Sequence, residues 1–385
     1  MRIERFDVFT FSVPFKTVFR HASASRRRAR NLIVAARGPD GATGWGESCP
    51  RPYVTAETVD GAAAFVLEHR DAMAAEIADV ESLRTWIAAH QDAVDRNPAA
   101  FCAAEIAVLD LLGKHEGLAI EDLLGVDRPA AEFHYSAVLG DSPWPVYRQQ
   151  SRRYLAEGFR DFKVKVSGKL RRDQRRMAAL DSPQPGRSDG TLRVRIDANN
   201  LWRSADTCIE HVTGLGRPVF ALEEPLQADD IDGFREVAAE CGTRIVLDES
   251  MLRLDQLDLV AGEPDTWIAN VRVSKMGGVI RSLDVAARAT DLGVGVIVGC
   301  QVGETSILTR AALTVMQSVE PDLVAAEGAF GTHLLQSDLT TSSIMFGRGG
   351  VLAAAEAVDA GRGGGFGLTV DEQATKGLEL RGAQP

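Results

Sequence analysis

The chain has 385 residues, 45% of them hydrophobic and 25% charged, which is the balance of a folded globular protein rather than a disordered one. Lys plus Arg number 43 and Asp plus Glu 54, and the resulting net charge of −11 argues against nucleic acid or an anionic membrane as a partner. Five scattered cysteines without a CxxC pair exclude a disulfide framework and a thiolate zinc site. The opening MRIERFDVFTFSV has neither the apolar stretch nor the cleavage site of a signal peptide, so a cytoplasmic protein is expected.

Residues 1 to about 60 read as an antiparallel meander. Phe6 and Val8, then Phe9, Phe11 and Val13, mark a first strand whose alternation shifts phase once, as at a bulge. Asn31 to Ala36 marks a second strand, and Thr43 to Glu47, after a Gly-Pro-Asp-Gly turn, a third. Between the first two lies a polar, basic connection over 15–30, read as a solvated loop, and a second polar loop spans 47–55. From about 56 to 125 the period is helical, most clearly from Ala99 to Leu112, where Glu105 interrupts the apolar stripe without an evident reason.

Beyond Phe133, short β-branched runs alternate with helical ones. Runs at 162–166, 193–197, 220–224, 245–248, 269–274 and 295–299 start 24 to 31 residues apart, the length of one strand-helix unit. With strands near 135–138 and 323–327 they make eight, which predicts a (β/α)8 barrel.

Barrel enzymes place their chemistry at the C-terminal ends of the strands. Three successive strands end in an acid: Asp197 in RIDANN, Glu223 in LEEPL and Asp248 in VLDES. One such acid reads as an ordinary helix cap or loop charge. Three at the same phase read as a cluster that repels itself unless a hard divalent cation sits among the carboxylates, with Mg2+ the best fit and Mn2+ a substitute. One strand earlier, Lys163 and Lys165 alternate with Phe162, Val164 and Val166, so both lysines point into the barrel. Beside a dication their pKa values should fall below about 10.4, which suits one of them to act as a base. A base next to a metal that stabilises oxyanions fits removal of the proton α to a carboxylate, through an enediolate.

These residues, in this order, resemble the enolase superfamily, in its muconate-lactonizing and dipeptide-epimerase-like subgroup. The matching features are KVKV at 163–166, DANN, EEP, DES, Lys275-Met-Gly-Gly278, Gly299-Cys-Gln-Val302, the helical run Ala107 to Lys114 and the late run Gly365 to Val370. The resemblance implies an α/β fold, a modified (β/α)8 TIM barrel over residues 129–354 with an N-terminal α+β capping domain over 1–128, completed by 355–385. It implies Mg2+ held by Asp197, Glu223 and Asp248, with Glu224 outside the ligand set. Lys165 would be the acid/base, with Lys163 near the substrate carboxylate tuning it. The cap loops would select the substrate, a small carboxylate. Symmetric homo-oligomers are common among relatives.

One departure stands out. Relatives carry a second catalytic lysine five positions before the Gly-Gly pair, and here Arg272 fills that slot. Arginine stays protonated and is a poor base. Lys275 is the alternative, although its phase on an extended strand is wrong. Asn199 in the DANN turn, Tyr53 and His21 in the cap loops, and Cys300 and Glu304 after the seventh strand are expected to face the substrate.

The reading reached is a Mg-dependent racemase or epimerase of an amino-acid-type carboxylate. A one-base cycloisomerase or dehydratase is the alternative within the family. A non-catalytic binding barrel is disfavoured, because five inward charges serve no structural purpose.

Overall fold

The computed structural model describes residues 1–21, 24–39, 41–181, 192–359 and 363–382, apart from the side chains of 17–21, 24–26, 358 and 359. β1 (Arg5–His21), β2 (Ala24–Arg37) and β3 (Thr43–Ser48) form an antiparallel meander. The basic connection read as a loop is largely strand: β1 and β2 continue as a paired hairpin past Pro14 and Arg28. Hydropathy carries no sign of this, because backbone hydrogen bonds hold such a ribbon whatever its side chains. The phase change near Phe9 is not a bulge, since the register is unbroken from Arg5↔Arg37 to Pro14↔Arg28 and shifts only between Pro14 and Phe19. Phe9 instead faces the other side of the sheet, where its ring lies 6.2 Å from Trp45.

The helix Pro98–Glu116 opens on Pro at its first turn, stops at Gly117 in the left-handed region, and is buried from Pro98 through Gly113. It lies so close to β3 that a Cβ on Gly44 or Gly46 would come within 2.0 Å of its carbonyl oxygens at Ala107 and Ala103. Glu105, unexplained by the stripe, reaches from this helix to the start of the helix Val279–Asp291. There it accepts hydrogen bonds from Val279 N at 3.1 Å and Ile280 N at 2.8 Å, satisfying donors that a helix start leaves open. The cap thus pins the barrel through one buried carboxyl group.

β4 (Glu132–His134) leads into the barrel, whose strands run in sequence as an eight-stranded parallel sheet. They are β5 (Ala137–Leu139), β6 (Asp161–Lys165), β7 (Arg193–Asp197), β8 (Ala221–Glu223), β9 (Arg244–Leu247), β10 (Trp267–Val271), β11 (Gly295–Val298) and β12 (Leu323–Ala326). A parallel bridge of Tyr135 with Ala326, and Ser136 N donating to Ala326 O at 2.9 Å, join the two edges. Ala221, Val246, Ile268, Ile297 and Ala325 pack as a small cluster of their own inside the ring. β13 (Val351–Ala353) pairs with β4, and β14 (Leu378–Arg381) pairs with β1 to complete the cap sheet.

The sixth barrel strand differs from expectation. It ends at Val271, and Val273–Met276 forms a helical turn closed by Gly277 at φ 92°. Among the described residues, no helix is long and apolar enough to cross a membrane.

Candidate active site

The parallel sheet sends the C-terminal ends of β6, β7 and β8 to one mouth, and its register sets the side chains against one another: Lys165 lies opposite Asp197, and Asp197 opposite Glu223. Lys163, one layer below Lys165, is buried. Its ammonium lies 2.7 Å from Glu223, 3.1 Å from Glu327 and 3.3 Å from Asp197. Lys165 donates to Asp197 Oδ2 at 2.9 Å and to Asn199 Oδ1 at 2.7 Å. Arg272 donates to Asp248 and lies 3.7 Å from Glu223. Both lysines therefore point inward, as strand alternation requires.

Lys275 owes its position to the early end of β10. The turn swings it against Asp248, to which it donates at 3.0 Å (Oδ1) and 2.7 Å (backbone O), with a third bond of 2.7 Å to Asn270 O. The phase argument against Lys275 assumed a strand that continued through Ser274, and the chain has already turned there.

A cavity of about 360 Å3 opens above these groups. Lys163, Lys165, Asp197, Asn199 and Arg272 line it from the barrel, as do Cys300 and Glu304 from the loop after β11, and Tyr53 lines it from the cap. Glu223, Asp248 and Lys275 are not among its lining residues. The side chain of His21 lies outside the described residues.

Two participants escaped the sequence reading. Glu327, at the end of β12, lines the cavity and bridges Lys163 to Arg195, which donates to it at 2.8 Å. The rule that found the other strand-end acids, applied to VAAEG, would have found this one. Arg195, two residues before Asp197 and so on the same inward face, also holds Asp161 at 2.7 Å. Glu224 accepts from Asp248 N, Ser250 N and Ser250 Oγ at 2.6, 2.8 and 2.9 Å, fixing the loop that follows β9.

The electrostatics are those of a crowded mouth. Burial pushes Glu223 up to about 8, against the pull of Lys163 and with the push of Asp197 and Glu327. Burial also presses on Asp197, but Lys165 and Lys163 hold it well below the usual carboxylate range. At Lys163 burial lowers the pKa, yet Glu223, Glu327 and Asp197 outweigh that and hold it well above the usual lysine value. The predicted fall presupposed a dication beside the lysine, and the protein's own charges act in the opposite sense.

Among the described residues, no three acidic, imidazole or thiol side chains close around a common point tightly enough to grip an ion. Lys163 stands between Asp197 and Glu223, and Arg272 between Glu223 and Asp248. The donor chemistry nevertheless fits a hard cation. All three carboxylates are buried, and Glu249 Oε2, next to Asp248, is a buried acceptor with no hydrogen-bond partner among the described residues.

Comparison with known proteins supplies the family. The N-terminal domain model of mandelate racemase and muconate lactonizing enzyme matches residues 5–125, and the enolase C-terminal domain-like model matches 146–374. The L-Lys-D/L-Arg epimerase of Methylococcus capsulatus is 30% identical over 316 residues, covering 81% of this chain and 86% of its own. The L-Ala-D/L-Glu epimerase of Bacillus subtilis is 28% identical over 319 residues, covering 81% and 84%. Among solved structures, muconate lactonizing enzyme superposes with a TM-score of 0.82 at 22% identity, covering 98% of this chain and 100% of its own. A dipeptide epimerase of Enterococcus faecalis, solved with Mg and L-Leu-L-Tyr, reaches 0.79 at 22% identity, covering 96% and 100%. At these identities the two structures show the fold alone.

Proposed function

The chain belongs to the mandelate racemase/muconate lactonizing enzyme family of the enolase superfamily, and from that premise we propose that it removes the proton α to the carboxylate of an amino-acid-type substrate and epimerises that carbon. The observation that carries the reading is Lys165 at the cavity wall, its side-chain nitrogen held on Asp197 and Asn199, with the Lys163 ammonium locked one layer below it. Relatives that are dipeptide and amino-acid epimerases support the substrate class.

Asp197, Glu223 and Asp248 would hold Mg2+, for which Mn2+ would substitute. A bound Mg2+ supplies a Lewis acid that stabilises charge on the substrate's carboxylate oxygens. Lys165 takes the α-proton, and Asn199 and Asp197 aim its nitrogen. Lys163 offsets the carboxylate charge beneath. Arg272, always cationic, holds negative charge on the substrate from across the mouth. Lys275, with three acceptors and no place on the cavity wall, positions Asp248 rather than moving protons. Residues 1–128 with 355–385 act as the cap that selects the substrate, and 129–354 as the catalytic barrel.

Arg272 also favours a second reading, a one-base cycloisomerisation or syn elimination, because it removes the lysine from the second face. One experiment separates the two. Carboxylic acids are incubated with the protein and Mg2+ in D2O, and α-deuterium uptake and chirality are followed by NMR. Epimerisation gives uptake with inversion, while the one-base reaction gives new bonds or loss of a group without inversion. Lys165→Ala is expected to abolish uptake while Mg2+ binding survives. Uptake that persists in Lys165→Ala refutes the assigned base.

A further inference from the structure

An epimerase needs a proton donor on the face opposite its base, and the slot that would provide one holds a permanent cation. Most of the other acidic, basic and thiol groups of the cavity have a visible commitment. Lys163 is clamped by three carboxylates, and Asp197 and Glu327 are ion-paired. Glu249 also has an unpartnered Oε2, but it adjoins Asp248 and belongs to the charge field of the carboxylate trio. Cys300 packs against the backbone at Gly328, where an added Cβ would lie 2.9 Å from its own.

Glu304 is different. Its Oε1 accepts from Gln301 N at 2.5 Å, while its Oε2 has no hydrogen bond or ion pair among the described residues, and the side chain lines the cavity. It follows β11, which the ring separates from β6 by β12 and β5 on one side and by β7 to β10 on the other. Glu304 thus enters the cavity three strands round the ring from Lys165, not from a neighbouring strand.

The cap holds this loop on both sides of Glu304. Arg51 donates to Val302 O at 2.9 Å, Asn31 to Gly303 O at 2.8 Å, and Thr305 donates to Glu47 from its hydroxyl at 2.6 Å and from its backbone at 3.0 Å. A group fixed in this way is positioned before substrate arrives.

We propose that the Glu304 carboxyl group is the proton donor on the substrate face opposite Lys165. The assignment rests on the epimerase reading above. Lys165 Nζ takes the α-proton and leaves the bonding pair on the substrate. The Glu304 O–H bond then breaks, its proton forms the new C–H bond on the opposite face, and Glu304 is left as a carboxylate. Water removes the proton from Lys165 and returns one to Glu304, with no oxidation or reduction. Burial, against the pull of the Gln301 N–H, Arg272 and Arg51 and with the push of Glu47, raises the Glu304 carboxyl to about 8, which favours the protonated form at neutral pH.

The test uses the full chain with Mg2+ in D2O and a panel of L-dipeptides and N-acetyl-L-amino acids. In Glu304→Gln, inversion is expected to fall by about 100-fold or more, the usual worth of a general acid, while α-deuterium uptake without inversion persists. Inversion at the wild-type rate overturns the assignment and leaves the epimerase reading standing. Loss of uptake together with inversion in a variant that melts normally also overturns it, as does loss of inversion confined to Glu249→Gln. A wild-type protein that takes up no deuterium from any acid defeats the reading itself, and the assignment falls with it. If Glu304→Gln does not fold, Glu304→Asp replaces it: slowed inversion with unchanged uptake supports the assignment, and equal slowing of both overturns it.

Discussion

Lys163→Met tests whether the mouth of the barrel is built to hold positive charge. The substitution keeps the length of the side chain but removes the ammonium that lies 2.7, 3.1 and 3.3 Å from Glu223, Glu327 and Asp197. Asp197 keeps Lys165 and Glu327 keeps Arg195, so the loss falls mainly on Glu223, whose remaining cation is Arg272 at 3.7 Å. Removing one partner of a buried ion pair costs about 3–5 kcal/mol. With roughly 2 cal/mol/K of unfolding entropy per residue, that lowers Tm by about 4–6 °C in a chain of this length. Melting is followed by calorimetry in chelator and in millimolar Mg2+. Because the variant's trio is more negative, it should bind Mg2+ more tightly than the wild type and gain more from it, each protein being stabilised by about 2.7 kcal/mol at a hundredfold excess over its own Kd. A variant that melts like the wild type in chelator refutes the charge argument. Melts that ignore Mg2+ in both proteins refute the metal site.

Arg272→Lys puts a group able to lose its proton back at the end of β10. Inversion lost in Glu304→Gln is therefore expected to recover by about tenfold or more when Arg272→Lys is added, and a double variant no faster than Glu304→Gln alone in the NMR assay counts against the reading of the slot. Glu105 yields a prediction about pH. Burial raises its carboxyl from 4.5 to about 7, so its contribution to stability is complete below about 4.5 and is lost as pH rises through about 7. Urea midpoints should therefore fall less between pH 5 and 8 in Glu105→Gln than in the wild type, and equal slopes would refute the shift.

Much of the fold was legible because it is repetitive. Strand-helix units of near-constant length announce a barrel, and inward polar residues at the strand ends announce its mouth. Lys163, Lys165, Asp197, Glu223 and Asp248 fall at one phase of their strands, so their convergence follows from periodicity. What stayed hidden depends on contacts that periodicity does not encode. Glu105 finds its partners 174 and 175 positions away. Lys275 is placed by a turn that begins where the apolar pattern still reads as strand. The hairpin past Pro14 is held by backbone atoms, to which hydropathy is blind. Glu327 was within reach and was missed because the eighth strand was used only to count to eight.

The cap sheet has a consequence for biosynthesis. β1 finds its outer neighbour in β14, with Val8 beside Arg381 and Phe11 beside Leu378. At roughly 5–20 residues per second, a ribosome delivers that neighbour on the order of 20–70 s after β1 has emerged. Throughout that interval the nascent strand presents an open edge of the kind that recruits foreign chains. The cap sheet is therefore completed only after the barrel has been translated, and conditions that slow elongation should lengthen the period in which that edge stays open.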